Sequence, residues 1–411
     1  MNKQKLLLTY FHNAQAAFLL EEDRLVQVRL HTAGSCNIGD IYVGKVKNIV
    51  SGMEAAFVEY AKGKIGFLPL DGLRTRNILN RTNAEKLKCG DEVLVQISKE
   101  PLKTKEASLT TDICFTGKNM ILIPFSHGIH YSRKFSQEQR RYMYDVMTQV
   151  VQSLFGDVTF FLKQYGVIVR TNALYMDAEA LAQELHGLFH SAGQVLSVAD
   201  KRTVFSCLYT EESFFKKAVR DLPAAKDWEI ITDVPEIMDE LKKYDTGTLR
   251  FYEDPMLPML RLFGIQGQIE EALQKKVWLR SGGYLVIEPT EALTVIDVNS
   301  GKMAPGRQKH DSAKLCLDTN IEAATEIARQ LRLRNISGMI LIDFINMKSG
   351  ADEETLICHL KEELKKDPVQ AVFHDMTMLG LVELTRKKTE APLFEKWKQL
   401  QEGKDVRGDE A

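Results

Sequence analysis

No two cysteines in this chain lie close enough in sequence to make a metal knuckle. The six stand at positions 36, 89, 114, 207, 316 and 358, and no CxxC occurs. Such scatter fits neither a disulfide framework nor a zinc site, and reduced thiols in a cytoplasm account for it most simply. Long apolar runs are lacking too: nothing approaches the roughly 18 residues of a membrane-spanning helix. The N-terminal LLLTYF follows Lys3 and Lys5 in the manner of a signal peptide, but His12, Asn13 and Gln15 interrupt it. A first strand of the fold is the better reading. Charge of one sign is also absent. The formal net charge is −2, so the whole-chain balance does not announce a nucleic-acid partner. What remains is the composition of a soluble globular protein, 44% hydrophobic and 27% charged. Its 411 residues leave room for roughly two to four domains.

Two apolar runs in the last third each lead into an aspartate. LTVIDVNSGK occupies positions 293–302 and GMILIDFINM positions 338–347. β-Branched and aliphatic residues in a row, bounded by Gly, Ser and Asn, predict two short buried strands. An ionised carboxylate inside such a strand is costly unless paired or metal-bound. Asp297 and Asp343 are therefore expected where each run meets a loop. Between the runs, Thr319 with Glu322 predicts a capping box at a helix start. Ile321, Ala324, Ile327, Ala328 and Leu331 then repeat at helical spacing, with Glu322, Glu326, Arg329 and Arg332 largely on the other side. Strand, helix, strand in that order predicts a parallel pair with both aspartates at one sheet edge. Two carboxylates there suit a hard cation such as Mg²⁺, which takes oxygen ligands and keeps waters. The residues alone allow an equal alternative, two unrelated aspartates serving as turn formers or loop caps.

Upstream, residues 1–35 read as short strands, with AAFLL and RLVQVRL flanking the turn-like EED. From 36 to 118, regularly placed glycines punctuate the β-prone runs IYVGKVKNIV, EAAFVEY, KIGFLPL and EVLVQIS, a pattern that predicts a small barrel. Phe57 and Phe67 fall in it. Exposed, such rings stack on bases; buried, they fill a core. Positions 41–141 hold 17 Lys and Arg against 10 Asp and Glu, which fits a basic face and equally an ordinary solvated surface. In 119–213, NMILIP and GVIVRTNA read as strands, and SQEQRRYMYDVMTQVVQSLF and EALAQELHGLF as helices. Arg170 and Thr171 close the second of these strands. A planar donor fork and a hydroxyl suit a terminal phosphate, and a surface ion pair is the plainer use of the same arginine. Residues 214–280 mix helix and strand pieces without an obvious acidic cluster. After Asn299 the loop carries Gly301, Lys302, Gly306, Arg307, Lys309 and His310. Positive charge on a pliant backbone suits a phosphodiester, and a mobile solvated loop has the same composition.

LTVIDVNSGK, EIARQLRLRN and GMILIDFINM, in this order and spacing, resemble the catalytic domain of the ribonuclease E/G family of bacterial endoribonucleases. The resemblance extends over nearly the whole chain. GDIYVGKVKNIVSGMEAAFVEYAKGKIGFLPL looks like the OB-fold RNA-binding module repeated in a ribosomal small-subunit protein. The family implies an α+β multidomain fold. A split RNase H-like domain (1–35 and 214–280) receives an inserted OB-fold RNA-binding barrel (36–118) and a 5′-sensor subdomain (119–213). A DNase I-like catalytic α/β domain (281–400) and a polar tail (401–411) follow. The resemblance implies that Asp297 and Asp343 bind Mg²⁺, with Mn²⁺ as an alternative, and that Asn299 holds the first carboxylate and orients the nucleophile. It also implies that Phe57, Phe67, Lys105 and Arg133 contact RNA. Arg170 and Thr171, with Gly117 and Ile121, would line a pocket for an RNA 5′-monophosphate.

Departures from the family pattern modify these expectations. Lys105 is followed by Glu106 where relatives have Lys-Gly; Asn346 stands at a second Asp position; Met378 stands where relatives often carry a basic residue. Each change lowers the expected RNA affinity. The last 27 letters, TRKKTEAPLFEKWKQLQEGKDVRGDEA, contain neither a CPxC zinc link nor a small dimerisation domain. No zinc site, no zinc-linked tetramer, and a monomer or weaker association are therefore expected. The expected function is a Mg²⁺-dependent endoribonuclease of the cytoplasm. It would cleave single-stranded RNA in RNA processing (rRNA included) or decay, leave 5′-phosphate and 3′-hydroxyl ends, and prefer 5′-monophosphorylated substrate. Its rival is an RNA-binding factor with weak or no nuclease activity in rRNA maturation or ribosome assembly. A small-molecule phosphodiesterase would explain the metal but not the barrel.

Overall fold

The computed structural model describes residues 4–32, 37–81, 84–101, 106–224, 227–242, 248–301, 309–347 and 349–405. Lys105 and most of the Gly/Lys loop after Gly301 lie outside the described residues. The chain forms two compact units: Met1–Ala33 joined to Trp228–Ala411, and the intervening Gly34–Asp227. Among the described residues, no helix is long and apolar enough to cross a membrane.

Three strands open the first unit as an antiparallel meander, β1 (Gln4–Phe11), β2 (Ala14–Glu21) and β3 (Arg24–His31). Two-residue turns join them, His12-Asn13 and Glu22-Asp23, and all four residues have positive φ. That is the turn geometry whose twist matches the flanking strands.

The second unit begins with β4 (Ile41–Val50), β5 (Ala55–Ala61), β6 (Lys64–Pro69), β7 (Glu92–Lys99) and β8 (Ala107–Thr110). They pair in the order β4-β5-β6-β8-β7, and β7 pairs back to β4, closing a five-stranded barrel. Inward residues Val46, Val58, Leu68, Val95, Ile97 and Leu109 fill it. After it come β9 (Phe115–Thr116), β10 (Met120–Pro124), β11 (Gly128–Tyr131), α1 (Gln137–Phe155), α2 (Val158–Gln164), β12 (Tyr165–Val169) and α3 (Ala178–Val198). Four of these strands make a sheet in the order β11-β12-β10-β9. Its apolar side, with Phe115, Met120, Leu122 and Val167, packs with Met147 and Val151 of α1 and Leu181 and Leu185 of α3. A capping box of Ser136 and Gln139 starts α1. β13 (Cys207–Tyr209) then pairs with β4, and α4 (Phe214–Arg220) closes the unit.

The first unit resumes at β14 (Trp228–Thr232), which lies parallel to β1; α5 (Pro235–Leu241) leads to β15 (Thr248–Phe251), completing the sheet β15-β14-β1-β2-β3. Against it pack α6 (Met259–Leu262) and α7 (Ile265–Leu273), through Met259, Ile265 and Ile269. Then come β16 (Lys276–Trp278), β17 (Tyr284–Pro289), β18 (Leu293–Asn299), α8 (Lys309–Leu333), β19 (Gly338–Asp343), α9 (Gly350–Lys365), β20 (Ala371–Met376), β21 (Leu381–Arg386) and α10 (Leu393–Asp405). Their strands form a six-stranded sheet in the order β16-β17-β18-β19-β21-β20. The chain ends by packing Leu393, Trp397 and Leu400 of α10 on Phe11 and its neighbours in the first sheet.

Two expectations are corrected here. The Asp-bearing runs are half-buried, not fully buried. In β18 Thr294, Ile296 and Val298 face the core, while Val295 and Asp297 face outward; in β19 Ile340 and Ile342 alternate with Met339 and Asp343. Helices cover one face of this sheet, so the other admits carboxylates without desolvation. Nor do Thr319 and Glu322 start a helix. Thr319 lies ten residues inside α8 and its hydroxyl donates to the Leu315 carbonyl at 2.8 Å. The Glu322 carboxylate instead accepts from the backbone N–H groups of Arg280 and Ser281 at 2.6 and 3.1 Å, pinning the turn between β16 and β17.

Candidate active site

β18 and β19 are the parallel neighbours of the six-stranded sheet, in a register that places Asp297 opposite Asp343. Residues directly opposite in a parallel pair face the same side, and adjacent strands stand about 4.7–4.9 Å apart. Both carboxylates are exposed, on the face opposite the core that α8 and α9 share with this sheet. The Asn299 side-chain amide donates to Asp297 Oδ2 at 2.6 Å. That bond fixes the carboxylate's orientation and leaves Oδ1 outside it. Two carboxylates with room for water are a donor set that fits Mg²⁺. Among the described residues, no cluster of three or more His, Cys, Asp or Glu is gathered as a metal cage.

The loops on either side of the pair are held from below. Gly301, at φ +65°, lies so close to Gly282 that a Cβ would sit 2.2 Å from the Gly282 carbonyl oxygen, so only glycine fits there. Beyond Asp343, Asn320 of α8 is fully buried. Its amide donates to the Ile345 carbonyl at 2.8 Å and accepts from the Ile345 N–H at 3.0 Å. Asn320 escaped the sequence reading, although a lone amide beside the apolar stripe that begins at Ile321 was a usable signal. Asn346 is exposed, and Met378 is fully exposed at the tip of the β20–β21 hairpin.

In the barrel, Phe57 and Phe67 are direct cross-strand partners on β5 and β6. Their rings meet edge to face, with centroids 6.0 Å apart. Both are half-buried, and neither belongs to the barrel core. Alternation explains this: Ala56, Val58 and Tyr60 point inward, so Phe57 points out. Exposed Lys45 and Lys47 lie on neighbouring β4, where Lys47 pairs with Glu59 at 2.7 Å. The third member of this set in the sequence reading, Lys105, lies outside the described residues.

The third group gathers at the end of β12. Arg170 Nη1 donates to the Gly117 carbonyl at 2.7 Å and Nη2 to Asp221 Oδ1 at 3.1 Å. The Arg170 N–H donates to the Asn119 carbonyl, and the Ser132 N–H to the Val169 carbonyl, which brings exposed Arg133 to the same end. Thr171 follows directly, half-buried, while Ile121 pairs with Ile168 farther along the sheet. Two buttresses went unread in the sequence. Asp221 is the ion-pair partner of Arg170. Glu184 of α3 accepts from the Asn119 N–H, the Asn119 amide and the Met120 N–H. A Cβ on Gly117 would lie 1.9 Å from Glu184 Oε1, so glycine is what lets that carboxylate brace the turn. The contacts of Asp221 and Glu184 cross more than 50 positions, which local pattern cannot show.

A closed five-stranded barrel with an outward aromatic pair, followed by a sheet that presents two carboxylates, defines a mixed α/β multidomain chain with a nucleic-acid-binding module. A model of the S1 RNA binding domain matches residues 35–112, and one of the ribonuclease E/G family matches residues 114–389. The chain belongs to the ribonuclease E/G family. It is 35% identical to ribonuclease E of Synechocystis sp. over 393 residues, 93% of this chain and 56% of that protein. With ribonuclease G of Haemophilus influenzae it shares 30% identity over 410 residues, 96% of this chain and 81% of the relative. With ribonuclease G of Escherichia coli K12 the identity is 32% over 377 residues, 86% and 73% of the two chains. The chain thus spans little more than half the length of the ribonuclease E relatives it matches.

Proposed function

We propose that this chain is a metal-dependent endoribonuclease acting on single-stranded RNA. One observation carries the reading: Asp297 and Asp343 stand side by side on an open sheet face, with Asn299 fixed to the first. Family membership gives that pair a chemistry to perform. Asp297 and Asp343 would hold Mg²⁺ or Mn²⁺. When bound, the cation supplies Lewis acidity that activates water and stabilises charge on the scissile phosphate. Asn299 keeps Asp297 turned toward its ligand. Water attacks phosphorus, the bond to the 3′ oxygen breaks, and the products carry a 5′-phosphate and a 3′-hydroxyl. We read the six-stranded sheet as the DNase I-like catalytic domain and the β1–β3 sheet with β14 and β15 as the RNase H-like one.

The barrel binds the strand through Phe57 and Phe67, with Lys105 as a further contact. Gly117, Arg133, Arg170 and Thr171, with Ile121 behind them, would receive a 5′-monophosphate, for which Arg170 exchanges its bond to Asp221. Exposed free thiols at Cys89, Cys207 and Cys358 suit a reducing cytoplasm, where RNA processing and decay take place.

The test is cleavage of a short labelled single-stranded RNA, 5′-monophosphate against 5′-hydroxyl, in Mg²⁺ and in EDTA, by the parent and by Asp297→Asn. Cleavage that requires both metal and Asp297 is the expected result, faster on the monophosphate. Tight binding without cleavage under every condition would sink the nuclease and leave an RNA-binding factor of rRNA maturation or ribosome assembly.

A further inference from the structure

The open face of the six-stranded sheet carries a second feature, on its edge. Lys276 and Trp278 of β16 and Tyr284 of β17 lie on the same face as Asp297. Trp278 pairs directly with Tyr284, Tyr284 with Asn299, and Val286 with Asp297, while Leu285 and Ile287 between them face the core. Trp278 is 64% exposed on a short edge strand. Its ring meets the Tyr284 ring edge to face at 5.3 Å. The Lys276 ammonium sits 3.9 Å from the indole centroid and 3.6 Å from the phenol centroid. Water-exposed tryptophan is an expensive way to finish a sheet edge, and none of these three side chains has a part in the carboxylate chemistry. Aromatic faces beside a cation are the elements with which single-stranded nucleic acid is held without sequence readout.

We propose that Trp278 and Tyr284, steadied by Lys276, form a stacking platform for an RNA base next to the scissile phosphodiester. The inference rests on the nuclease reading above and adds a subsite to it. Two strand spacings, about 10 Å, separate β16 from β18, so a strand whose phosphate meets Asp297 lays a neighbouring nucleotide over the rings. Lys276 then faces the phosphate of that nucleotide. Trp278 also borders a groove of the first unit, but five acidic and five basic side chains line that groove, a balance that offers an anionic strand no net attraction.

Intrinsic fluorescence gives a direct readout, because the other two tryptophans are buried or partly buried, Trp228 in the first sheet and Trp397 on α10. Titrating the full chain in EDTA with 5′-monophosphorylated single-stranded RNA is expected to quench emission saturably, and Trp278→Phe is expected to remove that quench. In Mg²⁺, Trp278→Leu and Tyr284→Leu should lower kcat/KM about tenfold, with Trp278→Phe restoring most of it. Melting temperature, followed in parallel, should hold, since neither ring belongs to the sheet core. If the parent cleaves RNA but its emission ignores the ligand and Trp278→Leu cleaves like the parent, the platform is wrong and the nuclease stands. Quenching with unchanged kinetics also overturns a place beside the scissile bond. A parent that neither binds nor cleaves RNA removes both proposals together.

Discussion

At the scale of single residues, the candidate chemistry depends on three side chains within two strands. Asp297→Asn or Asp343→Asn should abolish cleavage while leaving RNA affinity in EDTA unchanged, because both carboxylates are exposed and neither supports the core. Asn299→Ala removes only the 2.6 Å brace on Asp297. A loss of about 10–100-fold is expected there, partly restored by raising Mg²⁺, as for other partners behind a metal ligand. Cleavage rates over a Mg²⁺ titration separate the three variants; an Asn299→Ala enzyme as crippled as Asp297→Asn at every metal concentration would contradict the division of labour. These aspartates were legible in the sequence because two apolar runs isolate them. Asn320, Glu184 and Asp221 were not, since each acts through a partner brought near only by tertiary folding.

Elements read less evenly. The barrel's short strands followed from glycine spacing, and the strand–helix–strand order around the aspartates from two apolar runs with a helical repeat between them. The start of α8 did not, because Thr319 and Glu322 imitate a cap while serving the helix interior and a distant turn. Nor did its second face. Glu326 sounds like a solvent residue, yet β3 packs against α8 and buries it. Burial pushes its carboxyl up, but Arg329, Gln330 and Arg24 outweigh that and hold it below the usual glutamate range. A depressed carboxylate stabilises the fold above its unfolded pKa and loses that contribution as pH falls through the folded value. Stability of the parent should therefore drop in acid below the ordinary glutamate range. Glu326→Gln, weaker at neutral pH, should show a flatter dependence there; parallel melting curves across that range would refute it. On the barrel, Phe57→Ala should weaken single-stranded RNA by about 1–3 kcal/mol without lowering the melting temperature. Its ring lies outside the barrel core, so a variant that unfolds instead would reassign it to packing.

For the whole molecule, the informative feature is that a sheet is interrupted by an entire unit. β1 waits for β14, and the Thr9–Asp233 side-chain bond spans 224 positions. Local pattern marked only the pieces of that sheet; their reunion, a matter of long-range pairing, was expected from the family resemblance alone. Among the described residues four hydrophobic cores result, two in each unit. A ribosome delivers these pieces in a fixed order. Of these pieces the β1–β3 meander emerges first, its β1 edge without β14; the barrel and the α1–α3 layer can complete themselves next, and only the arrival of Trp228–Thr232 lets the first sheet extend. Chains truncated just before Trp228 and released from the ribosome should then show protease-resistant material from Gly34–Asp227 and an N-terminus still open to cutting, whereas resistance of both would mean the meander is stable alone. The arrangement makes the protein's birth a two-stage event, in which a finished insert is carried on a parent sheet that is still being made.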